Sequence, residues 1–131
     1  MHCDMQPDIR LKRAYDTPSS SDGARVLVDG IWPRGVSKDD LRIRKWMRSV
    51  APSKTLRQWF AHDPGKWKAF RQRYLVELHD HVAELEELVE LASTGRLTLV
   101  YGARDREHNQ AVVLRELIER QLRQHIAGRR H

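Results

Sequence analysis

Runs of apolar residues predict about three strands in this chain. VLV within RVLVDGIW (25–32) and LTLVY (97–101) are continuous apolar segments, as in strands that are buried on both faces. IRLKR (9–13) alternates apolar and basic residues, which predicts a half-exposed strand at the edge of a sheet. Turn-forming residues between 16 and 23 separate the first strand from the second.

Apolar residues at spacings of three and four predict helices in the rest of the chain. Asp63 is predicted to cap a helix, with Pro64 as its first residue. Trp67, Phe70, Tyr74 and Leu78 are predicted to lie on the inward face of this helix. Two further helices are predicted at about 81–94, with Val82, Leu85, Leu88, Val89 and Ala92 inward, and at about 107–124. Ser37 and Ser53 are caps of shorter helices, and the segment up to Val50 is expected to be broken helix.

The order of these elements predicts an α/β fold. A helical crossover between two continuous apolar strands favours parallel pairing, with helices on the faces of the sheet. We expect a small, mostly parallel sheet of about three strands, covered by helices in a three-layer-like arrangement. The 131 residues suffice for one domain, with a core at about 9–122 and loose termini. The direction of the first strand stays open, because its connection is near the lower limit for a parallel crossover.

Composition limits the classes of function. No apolar stretch approaches the roughly 20 residues that span a bilayer, and the N-terminus lacks the pattern of a secretory signal, so we expect a cytoplasmic protein. The single cysteine, Cys3, excludes an internal disulfide. No Walker loop and no paired cysteine or histidine motif is present, so neither a cofactor nor a metal is predicted. His79 and His81 leave zinc as a minor alternative.

The loops that follow the second and third strands carry the candidate chemistry. If these strands are parallel, both loops leave the same edge of the sheet, where ligands of open α/β folds bind. Arg34 and Arg104 would clamp an anion through their planar guanidinium groups. Asp29, Asp105 and His108 would handle protons. Trp32 and Asn109 complete the predicted site as substrate-binding residues.

Three hypotheses of function follow from these residues. The first is a domain that binds or acts on an anionic or phosphorylated small molecule. The second is a nucleic-acid-associated module, because the net charge is +6 and Trp32 or Trp46 could stack on bases. The third is a non-catalytic structural or interaction domain, in which Arg34 and Arg104 merely pair with Asp29 and Asp105. His62 is a weaker candidate for acid–base chemistry. The oligomeric state is not predicted.

Three blocks of the chain resemble the YeaO-like proteins, a bacterial family of small domains of unknown function. They are VLVDGIWPRGVSKDDL, APSKTLRQWFAHDPGKWKAFRQRY and LTLVYGARDREHNQAVVL, and the resemblance runs from about Ile9 to Leu122. It implies an α/β fold with a site at the two loops, but no established activity. The family usually has arginine after the strand aspartate, where this chain has Gly30. The cysteines of a larger related group are also missing, so thiol chemistry is not implied.

Overall fold

The structure, a computed structural model, describes residues 8–128. Cys3 and the outer residues of the predicted loose termini, 1–7 and 129–131, lie outside this range. Residues 123–128, also predicted to be loose, belong to the helix Gln110–Gly128. Within it, no helix combines the length and the apolar composition needed to cross a membrane.

In the described part of the chain the sheet has four strands, all parallel, in the order β1-β4-β2-β3. The strands are β1 (Ile9–Arg13), β2 (Ala24–Leu27), β3 (Lys45–Trp46) and β4 (Leu97–Tyr101). β4 is central and pairs with β1 on one side and with β2 on the other. The predicted α/β class and the edge position of β1 are therefore confirmed, and the direction of β1 is parallel.

Within residues 8–128, five helices cover the sheet: α1 (Lys38–Leu41), α2 (Lys54–Phe60), α3 (Trp67–Leu78), α4 (Val82–Thr94) and α5 (Gln110–Gly128). The predicted caps are present, because the side chains of Ser37 and Ser53 accept hydrogen bonds from the amides of Asp40 and Leu56. Asp63 caps a 3-10 turn, Pro64–Lys66, that leads into α3.

The two faces of the sheet are packed differently. Alternate residues such as Val26 and Leu99 face a large apolar core, to which α2, α3, α4 and α5 contribute. Leu27 and Val100 belong to a smaller cluster on the other face, with Leu41 of α1. This alternation explains why β2 and β4 read as continuous apolar runs, since both of their faces are covered.

Two details differ from the sequence predictions. The segment 42–50, expected as broken helix, contains β3 and a 3-10 turn, Arg48–Val50. A strand of two residues is too short to show an alternating pattern. Val82, predicted to face the core, is 54% exposed, because the buried stripe of α4 begins only at Leu85, one turn into the helix.

Candidate functional site

A cavity of about 330 Å³ lies at the carboxyl edge of the parallel strands. Because β2 and β4 are parallel neighbours, the loops that follow them leave this edge side by side. One part of the cavity wall consists of residues that follow the two strands or begin α5: Asp29, Gly30, Ile31, Gly102, Ala103, His108, Asn109 and Gln110. The rest of the wall comes from α2, its flanking residues and α3: Ala51, Pro52, Arg57, Phe60, His62 and Phe70.

Asp29 joins the two strand ends within the wall of the cavity. Its Oδ2 atom accepts a hydrogen bond of 2.8 Å from the backbone amide of Gly102, and its Oδ1 atom accepts one from the side-chain amide of Gln110. Burial raises the pKa of Asp29 from 3.8 to about 6, against the opposing effects of these two hydrogen bonds and of the charge of Arg57. Asp29 thus changes its charge close to neutral pH.

Arg57 brings a positive charge to the same cavity from α2. Its Nε atom is buried and has no hydrogen-bond partner within the described part of the chain. A buried N–H donor without a partner is costly, and such a group is a candidate for contact with a ligand or water. Arg57 acts on Asp29 through its charge and not through a hydrogen bond, so the two groups do not satisfy each other.

Gly30 follows Asp29 in the wall and lies beside the guanidinium of Arg57. A Cβ atom at Gly30 would be 3.9 Å from the Cζ and Nη2 atoms of Arg57 and 3.5 Å from the Cβ of Ala51. These are ordinary van der Waals distances, so a small side chain fits there. Any longer side chain at position 30 has to share the space beside the guanidinium of Arg57.

His108 is held in a defined orientation at the start of α5. Its Nδ1 atom lies 2.9 Å from Oδ2 of Asp105, and its ring makes an edge contact with Trp67, with centroids 5.3 Å apart. Asp105 also accepts hydrogen bonds from the amides of Glu107 and His108, and the bond from Glu107 is the main reason why its pKa is below the usual value. This arrangement leaves Nε2 as the ring nitrogen available to a ligand.

Asn109 is buried and forms the cap of α5. Its side-chain oxygen accepts a hydrogen bond from the amide of Val112, and its side-chain amide donates one to the carbonyl of Asp105. The predicted substrate-binding residue therefore lies at the cavity, with its polar groups engaged in the loop and the helix.

Four predicted site residues do not line the cavity: Trp32, Arg34, Arg104 and Asp105, the last of which contacts the wall residue His108. Arg34 and Arg104 are exposed, and the Nε1 atom of Trp32 donates a hydrogen bond of 2.6 Å to the carbonyl of Val36. Trp32 packs against Trp46, with ring centroids 5.3 Å apart. The alternative ion pairs with Asp29 and Asp105 do not arise, because those carboxylates have the partners described above. The structure thus brings together Asp29, Asp105, His108 and Asn109, but not Arg34, Arg104 or Trp32.

Arg57 and Gln110 line the cavity but were not predicted from the sequence. Arg57 precedes the inward residue Phe60 by three positions in α2, so an arginine flanking the apolar face of this short helix was the available signal. Gln110 is the first residue of α5, directly after the loop that was predicted to carry the site. The sequence alone does not indicate that either side chain lines the same cavity as Asp29.

No metal centre is formed among residues 8–128, since no group of three or more His, Cys, Asp or Glu side chains is placed to hold an ion. His81 instead lies 3.3 Å from a carboxylate oxygen of Glu84.

Fold and site together define a small parallel α/β domain with a charged cavity at the carboxyl ends of its strands. The family model that matches residues 8–130 is described as the inactive DUF488-N3 subclade, and the chain belongs to this family. It is 41% identical to the uncharacterized protein YeaO of Escherichia coli over 107 residues, which cover 82% of this chain and 93% of that protein. It is 44% identical over 110 residues to uncharacterized proteins of Mycobacterium bovis and Mycobacterium tuberculosis, covering 84% of this chain and 92% of each relative. No solved structure matches the chain.

Proposed function

We propose that this domain binds a small anionic molecule in the cavity at the carboxyl edge of the sheet, and that binding, not turnover, is its function. The observation that carries the proposal is the buried Nε of Arg57, which has no hydrogen-bond partner among the described residues. A carboxylate or phosphate oxygen at this position would satisfy the donor, and a charge-assisted hydrogen bond is about twice as strong as a neutral one. Arg57 thereby takes the role that the sequence suggested for Arg34 and Arg104.

His108 supplies a second polar contact for the ligand. Its Nδ1 atom is engaged with Asp105, so the ring presents Nε2 and cannot rotate without losing this hydrogen bond. A preoriented side chain loses little conformational freedom when a ligand binds. Arg57 and His108 both line the cavity, and the proposal places one ligand in contact with both.

Binding without turnover is supported by the description of the family. Its subclade is described as inactive. The proton-handling roles suggested for Asp29, Asp105 and His108 are therefore replaced by hydrogen bonding to the ligand and by support of the cavity wall.

The nucleic-acid hypothesis draws no support from the proposed stacking residues. The guanidinium of Arg48 lies over the ring of Trp46 at 3.9 Å, and Trp32 packs against the same ring. Part of the positive charge is also paired, as in the bridges of Lys45 to Glu87 and of Arg71 to Glu116. A groove that follows a nucleic-acid backbone needs such cations to be available for phosphates.

Thermal unfolding with a panel of anions tests the proposal. The probes are phosphate, acetate, benzoate and 3-phenylpropanoate, each compared with chloride at the same ionic strength. A ligand at a hundred times its dissociation constant adds about 2.7 kcal/mol to the stability of the folded state, which raises Tm by several degrees. We expect at least one probe to give a saturable rise in Tm that Arg57→Ala abolishes.

Arg34→Ala and Arg104→Ala are matched controls, because both arginines are exposed and lie outside the cavity wall. Both variants should retain the full shift in Tm. The proposal is wrong if no anion stabilises the protein, or if Arg57→Ala responds as the unmodified chain does. If the rise in Tm is lost only in the two control variants, the anion binds at the exposed loops that carry Arg34 and Arg104 and not in the cavity.

A further inference from the structure

The cavity contains two opposite charges that do not neutralise each other by contact. Arg57 influences Asp29 electrostatically, yet no hydrogen bond joins the two side chains, and the Nε of Arg57 stays without a partner among the described residues. Gly30 keeps the space beside the guanidinium open, because it has no side chain to fill it. A ligand that satisfied only Arg57 would leave the carboxylate without a counter-charge.

Asp29 still has capacity to accept hydrogen bonds. Each of its two oxygens has one protein partner, the amide of Gly102 for Oδ2 and the side chain of Gln110 for Oδ1. An ionised carboxylate offers about four acceptor positions, so about two remain for a ligand. Because the carboxylate is largely removed from water, a cationic donor that reaches it would also offset the unfavourable burial of its charge.

Part of the cavity wall is apolar. Phe60 and Phe70 stack on each other with ring centroids 4.3 Å apart, next to Ala51 and Pro52. Ile31 also lines the cavity and is 65% exposed. An apolar group of a ligand would cover these surfaces and remove them from water.

We infer that the ligand is an amino carboxylate with an apolar side chain, bound with its carboxylate on Arg57, its ammonium group on Asp29 and its side chain against Phe60 and Ile31. This inference rests on the proposed function and adds the chemical class of the ligand. No covalent step is involved.

A matched series of three molecules tests the inference in the unmodified protein by isothermal titration calorimetry at pH 7.5. L-Phenylalanine has both charged groups, 3-phenylpropanoate lacks the ammonium group, and phenethylamine lacks the carboxylate. We expect phenylalanine to bind at least tenfold more tightly than either of the others. Glycine, which has both charges but no apolar side chain, should also bind at least tenfold more weakly than phenylalanine.

Asp29→Asn removes the charge and keeps a side-chain oxygen for the amide of Gly102. This variant should bind phenylalanine and 3-phenylpropanoate equally, because only the contact to the ammonium group is lost. Asp40→Asn is the matched control, since Asp40 is exposed and lies outside this cavity, and it should keep the preference for phenylalanine. Circular dichroism spectra check that both variants are folded. The comparison of ligands in the unmodified protein does not depend on either variant.

The outcomes separate this inference from the proposed function. If 3-phenylpropanoate binds as tightly as phenylalanine to the unmodified protein, the amino carboxylate inference is wrong and anion binding stands. If phenethylamine alone binds, or if no molecule of the series and no anion of the panel binds, both are wrong. A preference for phenylalanine that persists in Asp29→Asn overturns the assigned position of the ammonium group.

Discussion

Asp29 shows how one side chain serves both the fold and the cavity. It lies two residues beyond the end of β2 and accepts hydrogen bonds from the residue after β4 and from the first residue of α5. It thereby joins three elements at the carboxyl edge. The cost of this position is the burial of a carboxylate, which raises its pKa to about 6.

Replacement of Asp29 by asparagine should change how stability depends on pH. The pKa of Asp29 is about 6 in the folded protein, against 3.8 for the ordinary group, so the folded state binds the proton more tightly than the unfolded state. The contribution of Asp29 to stability is therefore largest below about pH 4, falls as the pH rises to about 6, and is constant above that. At about 1.36 kcal/mol per pKa unit, the fall is on the order of 3 kcal/mol.

We expect Asp29→Asn to lack this fall and to be more stable than the unmodified chain at pH 7.5 by up to about 3 kcal/mol. Urea unfolding at pH 4.5 and 7.5 measures the effect as the difference between the two proteins, which removes the contributions of other titrating groups. Asp40→Asn, at an exposed position, should follow the unmodified chain at both pH values. The same difference in stability at both pH values would contradict the prediction.

At the scale of elements, the start of β2 depends on a close approach of two backbone segments. Gly23 has φ +68°, and a Cβ atom there would lie 2.3 Å from the carbonyl oxygen of Arg96. That carbonyl accepts a hydrogen bond of 3.0 Å from the amide of Ala24, at the point where β2 joins β4. Glycine is therefore required by the left-handed conformation and by the contact together.

Gly23→Ala should destabilise the fold far more than Gly35→Ala. Gly35 has a similar φ of +81°, but no atom lies within 4 Å of a Cβ placed there, so it isolates the cost of the backbone conformation. That cost is about 1–2 kcal/mol, whereas the clash at Gly23 should bring the loss to about 3 kcal/mol or more. Urea unfolding at constant pH measures the free energy of unfolding of both variants. Equal losses of stability would contradict the prediction, because they would show that a Cβ atom at position 23 is accommodated beside the carbonyl of Arg96.

At the scale of the whole molecule, the two faces of the sheet share the same strands. Successive residues of β2, Val26 and Leu27, belong to the large core and to the small cluster, and Leu99 and Val100 of β4 do the same. Neither layer can lose its packing without disturbing strands on which the other depends. Cooperative unfolding of both layers is the physical consequence.

Tryptophans on the two faces report this cooperativity separately. Trp32 and Trp46 pack against the small cluster, and Trp59 and Trp67 against the large core. In one variant the first pair of tryptophans is replaced by phenylalanine, and in the other variant the second pair is replaced, so that each retains reporters on one face only. We expect the fluorescence transition of each variant in urea to coincide with its transition in far-ultraviolet circular dichroism. Two separated midpoints within either variant would mean that one layer unfolds first.

Much of the fold could be predicted from local patterns. Continuous apolar runs predicted β2 and β4, and apolar spacings of three and four predicted α2, α3, α4 and α5. Caps at Ser53 and Asp63 marked the start of the first two of these helices. β3 was missed because Lys45 and Trp46 form no pattern of their own and become a strand only by pairing with β2. Arg34 and Arg104 were placed on the correct loops, but the direction of a loop arginine depends on neighbours that are distant in sequence.

The sequence by itself determined membership of the family, the α/β class and the presence of two polar loops after neighbouring apolar strands. These features depend on local periodicity and on the order of elements, both of which can be determined from residues that are close together in the sequence. Only the tertiary structure decided that Arg57 and Asp29 line the same cavity, that Gly30 lies beside the guanidinium of Arg57, and that burial raises the pKa of Asp29 to about 6. Contact, burial and the resulting electrostatics arise between segments far apart in the chain, and no local pattern specifies them.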